Sequence, residues 1–157
     1  MSAFVIQLAA LAGGLSRLEE RAQADELGLQ ESEWPGTIVG ALVVERAGER
    51  VAVRAQIRAM ARLECARCLV TFDQPIAGDL TLYAERSSAS SRVERELEDG
   101  EAMRFHDGRQ LDLREAAREA LLIELPITPR CREECRGLCP KCGADLNQGP
   151  CGCLGSG

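Results

Sequence analysis

The sequence is poor in several features that common protein classes require. Aromatic residues make up only 3% of the 157 residues, so a core must be built mainly from Leu, Val, Ile and Ala. No run of about eighteen apolar residues occurs, so we predict no membrane span and no membrane partner. The formal charge is −6, which argues against a protein that coats a nucleic acid through many phosphate contacts.

Signatures of catalysis are scarce as well. The chain has one histidine, His106, which lies in the loop-like stretch FHDGRQ without a nucleophile beside it, and we expect it at the surface. No glycine-rich phosphate loop follows a strand. The N-terminal run MSAFVIQLAALAGG lacks the basic segment of a secretory signal. We therefore predict a cytoplasmic protein that is not an enzyme and has no small-molecule substrate.

The middle of the chain predicts an antiparallel sheet. In TIVGALVVER apolar residues alternate onto both faces of a strand, so both faces are expected to be covered. VAVRAQIRAMARL then alternates apolar and polar residues with a period of two, which is typical of a half-buried strand. A third strand is predicted from roughly Ile76 to Ala84.

Two helices are predicted, one before these strands in the sequence and one after them. Ser16 and Glu19 have the spacing of a capping box, so a short helix is expected from about Arg17 to Leu27, with Gly28 as its stop.

The second helix is expected to begin at Asp112, which Glu115 would complement as the other half of a capping box, and to stop before Pro126. Its apolar stripe has helical spacing and is interpreted as core packing. The stripe consists of Leu113, Ala116, Ala117, Ala120 and Leu121.

These elements predict an α+β fold, with a small antiparallel sheet packed with one main helix and a C-terminal Cys-rich zinc-ribbon-like module. We predict an N-terminal segment at 1–36, a sheet and helix domain at 37–130, and the cysteine module at 131–157. The polar, acidic stretch at 85–101 is interpreted as a mobile loop.

Cysteine is the one residue type that the chain concentrates. Six of its eight cysteines fall within CREECRGLCPKCGADLNQGPCGC, and most come in closely spaced pairs. Such pairs suit chelation, because a C-x-x-C turn aims both sulfurs at one point. A disulfide framework is typical of chains that lack a core, and a thioredoxin-like couple has a different setting. Zinc is therefore predicted ahead of an iron–sulfur cluster.

The spacing leaves open whether there are one or two structural zinc ions. The preferred division places Cys65, Cys68, Cys131 and Cys135 in one site. The other site then consists of Cys139, Cys142, Cys151 and Cys153. The alternative is a single site in which Cys131 and Cys135 close on Cys139 and Cys142.

An arginine row is the candidate for RNA contact. Arg54, Arg58 and Arg62 point outward from the second strand at intervals of about 13 Å, and Arg67 continues the series inside the first C-x-x-C turn. These side chains could meet phosphates. The competing interpretation is an ordinary solvated sheet face.

Three stretches together resemble the YceD family, the large ribosomal RNA subunit accumulation proteins. They are LECARCLVTF, LDLREAAREALLIELPITPRC and CRGLCPKCGADLN, and the similarity covers about residues 37–153. The family's C-x-R-C element falls on Cys65, Arg67 and Cys68, its D-L motif on Asp112 and Leu113, and its cysteine-rich tail on 131–153.

The resemblance implies a cytoplasmic, non-enzymatic factor for accumulation of large-subunit ribosomal RNA and assembly of the large subunit. Its partner would be ribosomal RNA or a pre-ribosomal particle, bound directly or through a ribosomal protein. The alternative from another class is a zinc-stabilised protein-interaction adaptor without direct RNA contact. A thiol redox enzyme is the third hypothesis.

Overall fold

A computed structural model describes residues 2–86, 95–96 and 102–153, in which a six-stranded sheet is the largest element. The strands in the described part are β1 (Val5–Gln7), β2 (Gly14–Ala22), β3 (Ile38–Ala47), β4 (Arg50–Glu64), β5 (Thr71–Arg86), β6 (Arg95–Glu96), β7 (Ala102–His106) and β8 (Gln110–Asp112). The α-helix α1 spans Arg114–Ile123, and 3-10 turns occupy Leu8–Ala10, Ala24–Leu27 and Leu146–Gln148.

The main sheet has the strand order β2-β3-β4-β5-β7-β6, and β1 pairs separately with β8. Neighbouring strands are antiparallel except β5 and β7, which run parallel. The predicted class, mostly antiparallel sheet with one main helix, is confirmed at this level. The parallel pair was not predicted.

The helix α1 covers one face of the sheet, against β4 and β5. Alternation in β4 buries Val53 and Ile57 and leaves Arg54 and Arg58 exposed, as predicted. The prediction that both faces of β3 are covered is wrong, because Ala41 on the opposite face is exposed. We call this opposite face of β2–β5 the outer face.

The helix lies unusually close to the sheet at Gly78. A Cβ atom added to Gly78 would overlap the carbonyl oxygen of Ala120 in α1. Glycine is therefore required at this point of β5, because any side chain would push the helix backbone away. The predicted apolar stripe of α1 is buried here, and Leu121 is fully inaccessible.

The predicted helix from Arg17 to Leu27 is wrong. Residues 14–22 form β2, which pairs along its full length with β3, and only Ala24–Leu27 turns as a 3-10 helix. Gly28 does end that turn, with φ 74°. The capping signal was local, and nine residues of strand pairing override it.

The predicted capping box of the second helix is also wrong in detail. The N-cap of α1 is Leu113, while Asp112 closes β8 and accepts a hydrogen bond from the backbone N–H of Arg114 at 3.0 Å. The carboxylate of Glu115 forms an ion pair with Arg104 at 3.3 Å instead of accepting a hydrogen bond from the backbone N–H of the N-cap residue.

His106 is buried, so its predicted surface position is wrong. The residue is 5% exposed, its ring Nδ1 accepts a hydrogen bond from the backbone N–H of Gly108 at 3.0 Å, and its Nε2 lies 2.8 Å from the carbonyl oxygen of Glu49. Because Nδ1 accepts, the proton of the neutral ring is on Nε2 and is donated to Glu49. The histidine ties β7 to the β3–β4 turn.

The predicted mobile loop at 85–101 falls mostly outside the described residues, which omit 87–94 and 97–101. Within the described part, Glu85 and Arg86 still belong to β5, and Arg95–Glu96 forms β6. The division at 36 and 130 stays a prediction, although β1 and β2 pair with strands beyond it. No helix among the described residues is long and apolar enough to cross a membrane.

Candidate metal centres and the arginine face

The first C-x-x-C pair forms the turn between β4 and β5. The backbone N–H of Cys65 donates to the carbonyl of Val70 at 2.8 Å, and the N–H of Leu69 donates to the carbonyl of Cys65 at 3.0 Å. Leu69 has φ 65°, a left-handed conformation that non-glycine residues rarely adopt. The turn points the sulfurs of Cys65 and Cys68 to the same side, where they come together with two cysteines of the tail.

The second C-x-x-C pair repeats this arrangement. The N–H of Cys139 donates to the carbonyl of Ala144 at 2.8 Å, and the N–H of Gly143 donates to the carbonyl of Cys139 at 2.8 Å. Gly143 has φ 74°. The two turns, 65–70 and 139–144, are therefore knuckles with the same hydrogen-bond pattern.

The eight sulfurs form two groups of four. Cluster A consists of Cys65, Cys68, Cys131 and Cys135. Cluster B consists of Cys139, Cys142, Cys151 and Cys153. Within each cluster all four sulfurs lie within 4.8 Å of one another. These are the groups of the preferred division, and the structure does not bring Cys131 and Cys135 onto Cys139 and Cys142.

The sulfur spacing fits a tetrahedral ion. In cluster A the sulfurs of Cys65 and Cys135 are 3.7 Å apart, and those of Cys68 and Cys131 are 3.6 Å apart. A tetrahedron with metal–sulfur bonds of about 2.3 Å has edges of about 3.8 Å, whereas a disulfide is about 2.05 Å long. None of the eight cysteines, all of them in the described part of the chain, forms a disulfide. Both clusters could hold a metal ion.

Cluster A joins distant parts of the chain. Beside it, the N–H of Ala66 donates to the carbonyl of Pro129 at 2.8 Å, and the carbonyl of Arg67 accepts from the N–H of Leu138 at 3.1 Å. Cys65 is fully buried and Cys135 nearly so. The cluster thus fastens the end of the β4–β5 hairpin to the segment that follows α1.

Cluster B is local and more accessible. Its four cysteines lie within 139–153, Cys142 is exposed, and Cys151 and Cys153 are half-buried. The N–H of Leu146 donates to the carbonyl of Gly137 at 2.9 Å, which closes the segment on itself. Cluster B therefore organises the tail, whereas cluster A holds the tail to the sheet.

Asn147, which lies in sequence between the two cysteine pairs of cluster B, contacts cluster A, and sequence reasoning missed it. Its amide nitrogen donates to the sulfur of Cys135 at 3.4 Å, its amide oxygen accepts from the N–H of Arg136 at 2.8 Å, and its own N–H donates to Asp145 at 2.9 Å. The amide is the largest cause that lowers the pKa of Cys135. The sequence signal that could have indicated this role is the position of an asparagine between two cysteine pairs.

The thiol pKa values within each cluster are spread far apart. Backbone N–H groups, first that of Cys68, lower the pKa of Cys65 to about 6, whereas burial raises the pKa of Cys131 to about 12. In cluster B, backbone N–H groups, first that of Cys142, lower the pKa of Cys139 to about 6. A hydrogen bond with Cys142 raises that of Cys153 to about 12. At least one sulfur in each cluster therefore ionises readily, whereas the thiols of Cys131 and Cys153 need a bound cation to lose their protons near neutral pH.

The predicted arginine row is only partly available. Arg62 forms a bidentate ion pair with Asp73, at 2.9 and 3.2 Å, and lowers the pKa of that carboxyl. Arg67 donates to the carbonyl of Cys135 at 3.0 Å and so supports cluster A. Within the described part of the chain, Arg58 bonds only to Gln56, at 2.6 and 2.9 Å, and Arg54 has no partner. RNA contact by this row stays a prediction.

One family model matches this chain over more than half of its length. The family model described as "Large ribosomal RNA subunit accumulation protein YceD" matches residues 53–156. Uncharacterized proteins of Mycobacterium tuberculosis and Mycobacterium leprae are each 36% identical, over 110 and 115 residues, or 69% and 73% of this chain. No solved structure matches the chain.

The chain spans about half of these mycobacterial relatives, since each alignment covers 51% of the relative. A shorter similarity, 38% over 45 residues, links it to the Arabidopsis thaliana "Large ribosomal RNA subunit accumulation protein YCED homolog 1, chloroplastic". This alignment covers 29% of the chain and 14% of the plant protein.

Proposed function

Because this chain belongs to the YceD family, we propose that it supports accumulation of large-subunit ribosomal RNA and assembly of the large ribosomal subunit. The observation that carries the proposal is the family match over 53–156, a range that includes most of β4, the helix α1 and both cysteine clusters. We place the protein in the cytoplasm, as a binding factor without catalytic activity, in contact with ribosomal RNA or a pre-ribosomal particle.

In this proposal both clusters bind zinc. Four soft thiolates at tetrahedral spacing favour zinc or an iron–sulfur cluster, and the knuckle turns favour zinc. The metal would supply cross-links that hold the backbone, because four protein ligands leave no coordination position for a reacting water. Cluster B with its knuckle then makes a zinc-ribbon-like tail. Cluster A braces the sheet against that tail.

The test is ribosome assembly in a strain that lacks the protein. We expect fewer large subunits by sucrose-gradient sedimentation and less large-subunit ribosomal RNA relative to small-subunit RNA. A copy of the natural protein should restore both. Unchanged gradients in the deletion strain would overturn the proposal. If the protein still associates normally with pre-ribosomal particles after its RNA contacts have been removed by mutation, the hypothesis of a protein-interaction adaptor is favoured instead.

A further inference from the structure

The outer face of the sheet carries a shallow groove. It has a volume of about 550 Å³ and is lined, among others, by Ala41 and Val43 of β3, Arg54 and Gln56 of β4, and Tyr83 of β5. A smaller adjoining groove of about 250 Å³ shares Val43, Arg54 and Tyr83. The half-buried ring of Tyr83, the single tyrosine of the chain, therefore borders both, beside a guanidinium group and above a floor of small apolar side chains.

The arginines of this face divide into two sets. Three are held in ion pairs with a neighbouring carboxylate: Arg21 with Glu19, Arg50 with Glu85 and Arg62 with Asp73. The other three have no carboxylate partner among the described residues: Arg17, Arg54 and Arg58.

Of the set without a carboxylate partner, Arg54 lines the groove, and Arg17 and Arg58 are its neighbours on the outer face. Arg17 and Arg54 stand in one cross-strand row on either side of Val43, about 10 Å apart at ordinary strand spacing. Arg58 follows Arg54 at about 13 Å along β4. One guanidinium group without a carboxylate partner, that of Arg54, thus lines the groove together with an aromatic ring, and two more, those of Arg17 and Arg58, lie beside it on the same face.

We propose that this groove binds a segment of single-stranded RNA, with phosphates on Arg17, Arg54 and Arg58 and one base stacked on Tyr83. Arginine forks match phosphate oxygens, and a base stacks on an aromatic ring whatever its sequence. This inference rests on the proposed function for its partner and assigns that partner a surface. It replaces Arg62 and Arg67 of the predicted row with Arg17 and Tyr83.

Two carboxylates limit the affinity of the groove. Asp79 lies directly opposite Gln56, and Glu45 lies next to the same surface in β3. With the formal charge of −6, they repel phosphates and make binding weak. Three phosphate contacts on a single strand give a log–log salt slope of about −2. An assembling particle, which presents its RNA at high local concentration, suits such a surface.

The binding test uses the full chain loaded with zinc and a fluorescent, unstructured oligoribonucleotide of about 10 nucleotides. The groove variant replaces Arg17, Arg54 and Arg58 with Gln. The matched control replaces the ion-paired Arg21, Arg50 and Arg62 with Gln and so removes the same charge. We expect the groove variant to lose affinity about tenfold or more and to flatten the salt slope, while the control changes about twofold.

Two single variants test stacking. Tyr83→Phe should keep the affinity, and Tyr83→Leu should lower it about tenfold. The proposal that the groove binds single-stranded RNA would be overturned by equal losses of affinity in the two arginine variants. Equal affinity of Tyr83→Leu and Tyr83→Phe, or tighter binding of an RNA duplex of the same length, would overturn it as well. Zinc content and thermal unfolding of every variant establish that the fold is intact.

Complementation of the deletion strain separates this inference from the proposed function. If the groove variant restores ribosomal RNA levels as well as the natural protein does, the groove is not the functional contact, and the proposed function stands. If the natural protein itself fails to restore them, the proposed function fails, whatever the oligonucleotide shows.

Discussion

Leu69 and Gly143 occupy the same position in two equivalent knuckles. Each directly follows the second cysteine of its C-x-x-C pair, each donates its N–H to the carbonyl of the first cysteine, and their φ angles are 65° and 74°. Glycine adopts this conformation without steric cost, whereas leucine does not. The protein therefore builds the same turn twice, once with the favoured residue and once under strain.

This equivalence predicts opposite responses to substitution. Gly143→Ala should lower the free energy of unfolding by about 1 kcal/mol, because alanine is strained at positive φ. Leu69→Gly should leave it unchanged or raise it by up to about 1 kcal/mol, since relief of the left-handed leucine outweighs the added freedom of the unfolded chain. Denaturant unfolding at a fixed free zinc concentration measures both values. A neutral Gly143→Ala would show that the second knuckle does not need this conformation.

The two clusters should differ in what their loss does to the fold. Cys65→Ser should remove one zinc ion and lower the melting temperature of the whole domain, because cluster A joins the β4–β5 turn to the segment after α1. Cys151→Ser should also remove one ion but leave the melting of the sheet domain almost unchanged, because cluster B is confined to 139–153. Native mass spectrometry counts the ions, and circular dichroism follows melting. If the natural protein binds only one ion, or none, the two-site arrangement is refuted.

Metal affinity should fall as the pH falls. At pH 7 the thiols of Cys65 and Cys139, with pKa values of about 6, are ionised, whereas those of Cys131 and Cys153, at about 12, are protonated. A metal ion that binds the cluster must displace each remaining proton, so protons compete with it, and below about pH 6 the thiols of Cys65 and Cys139 also become protonated. Competition with a chromophoric chelator at several pH values tests this direction. If the metal affinity changed by no more than about 0.2 log units between pH 8 and pH 5.5, ligation by thiolates would be excluded.

The close approach of α1 to the sheet gives a packing prediction. Gly78→Ala should lower the free energy of unfolding by about 1–3 kcal/mol, because the new methyl group meets the backbone of Ala120 and the helix must shift. Ala77→Ser, the matched change one residue earlier on the outer face, should cost less than about 0.5 kcal/mol. In the same core, Leu121→Ala and Ile57→Ala should each cost about 2–5 kcal/mol, and Arg58→Ala little. Similar small losses at all positions would contradict the assigned faces.

Burial of His106 predicts a structural role for its ring. His106→Leu should lower the free energy of unfolding by about 1–3 kcal/mol, because it leaves the carbonyl of Glu49 and the N–H of Gly108 without their partner. The exposed Arg109→Gln serves as the control and should change it by less than about 0.5 kcal/mol. Urea unfolding compares the two. A His106→Leu protein as stable as its parent would mean that water replaces both bonds.

Elements with a strong periodic pattern were predictable, and elements that depend on a distant partner were not. The alternation of β4 and the apolar stripe of α1 follow from residues that lie next to each other in sequence, and both predictions are confirmed. The segment at 17–27 carries a helix-cap signal of its own, yet pairing with β3 makes most of it a strand. Local preferences amount to a few tenths of a kcal/mol per residue, which a full strand ladder outweighs.

The sequence by itself determined the chemistry of the candidate sites, and the tertiary structure decided how that chemistry is grouped and which groups are free. The closely spaced cysteine pairs predict metal binding from the sequence alone. Which pairs share a site is decided by the contact between the β4–β5 turn and the tail, which brings Cys65 next to Cys135. The arginines of β4 are exposed because of their spacing. Their availability, however, depends on carboxylates that strand register brings opposite them, as Asp73 is brought to Arg62 while Arg54 faces Thr81. Side-chain type and spacing are properties of the chain, whereas cross-strand neighbours exist only after the sheet has formed.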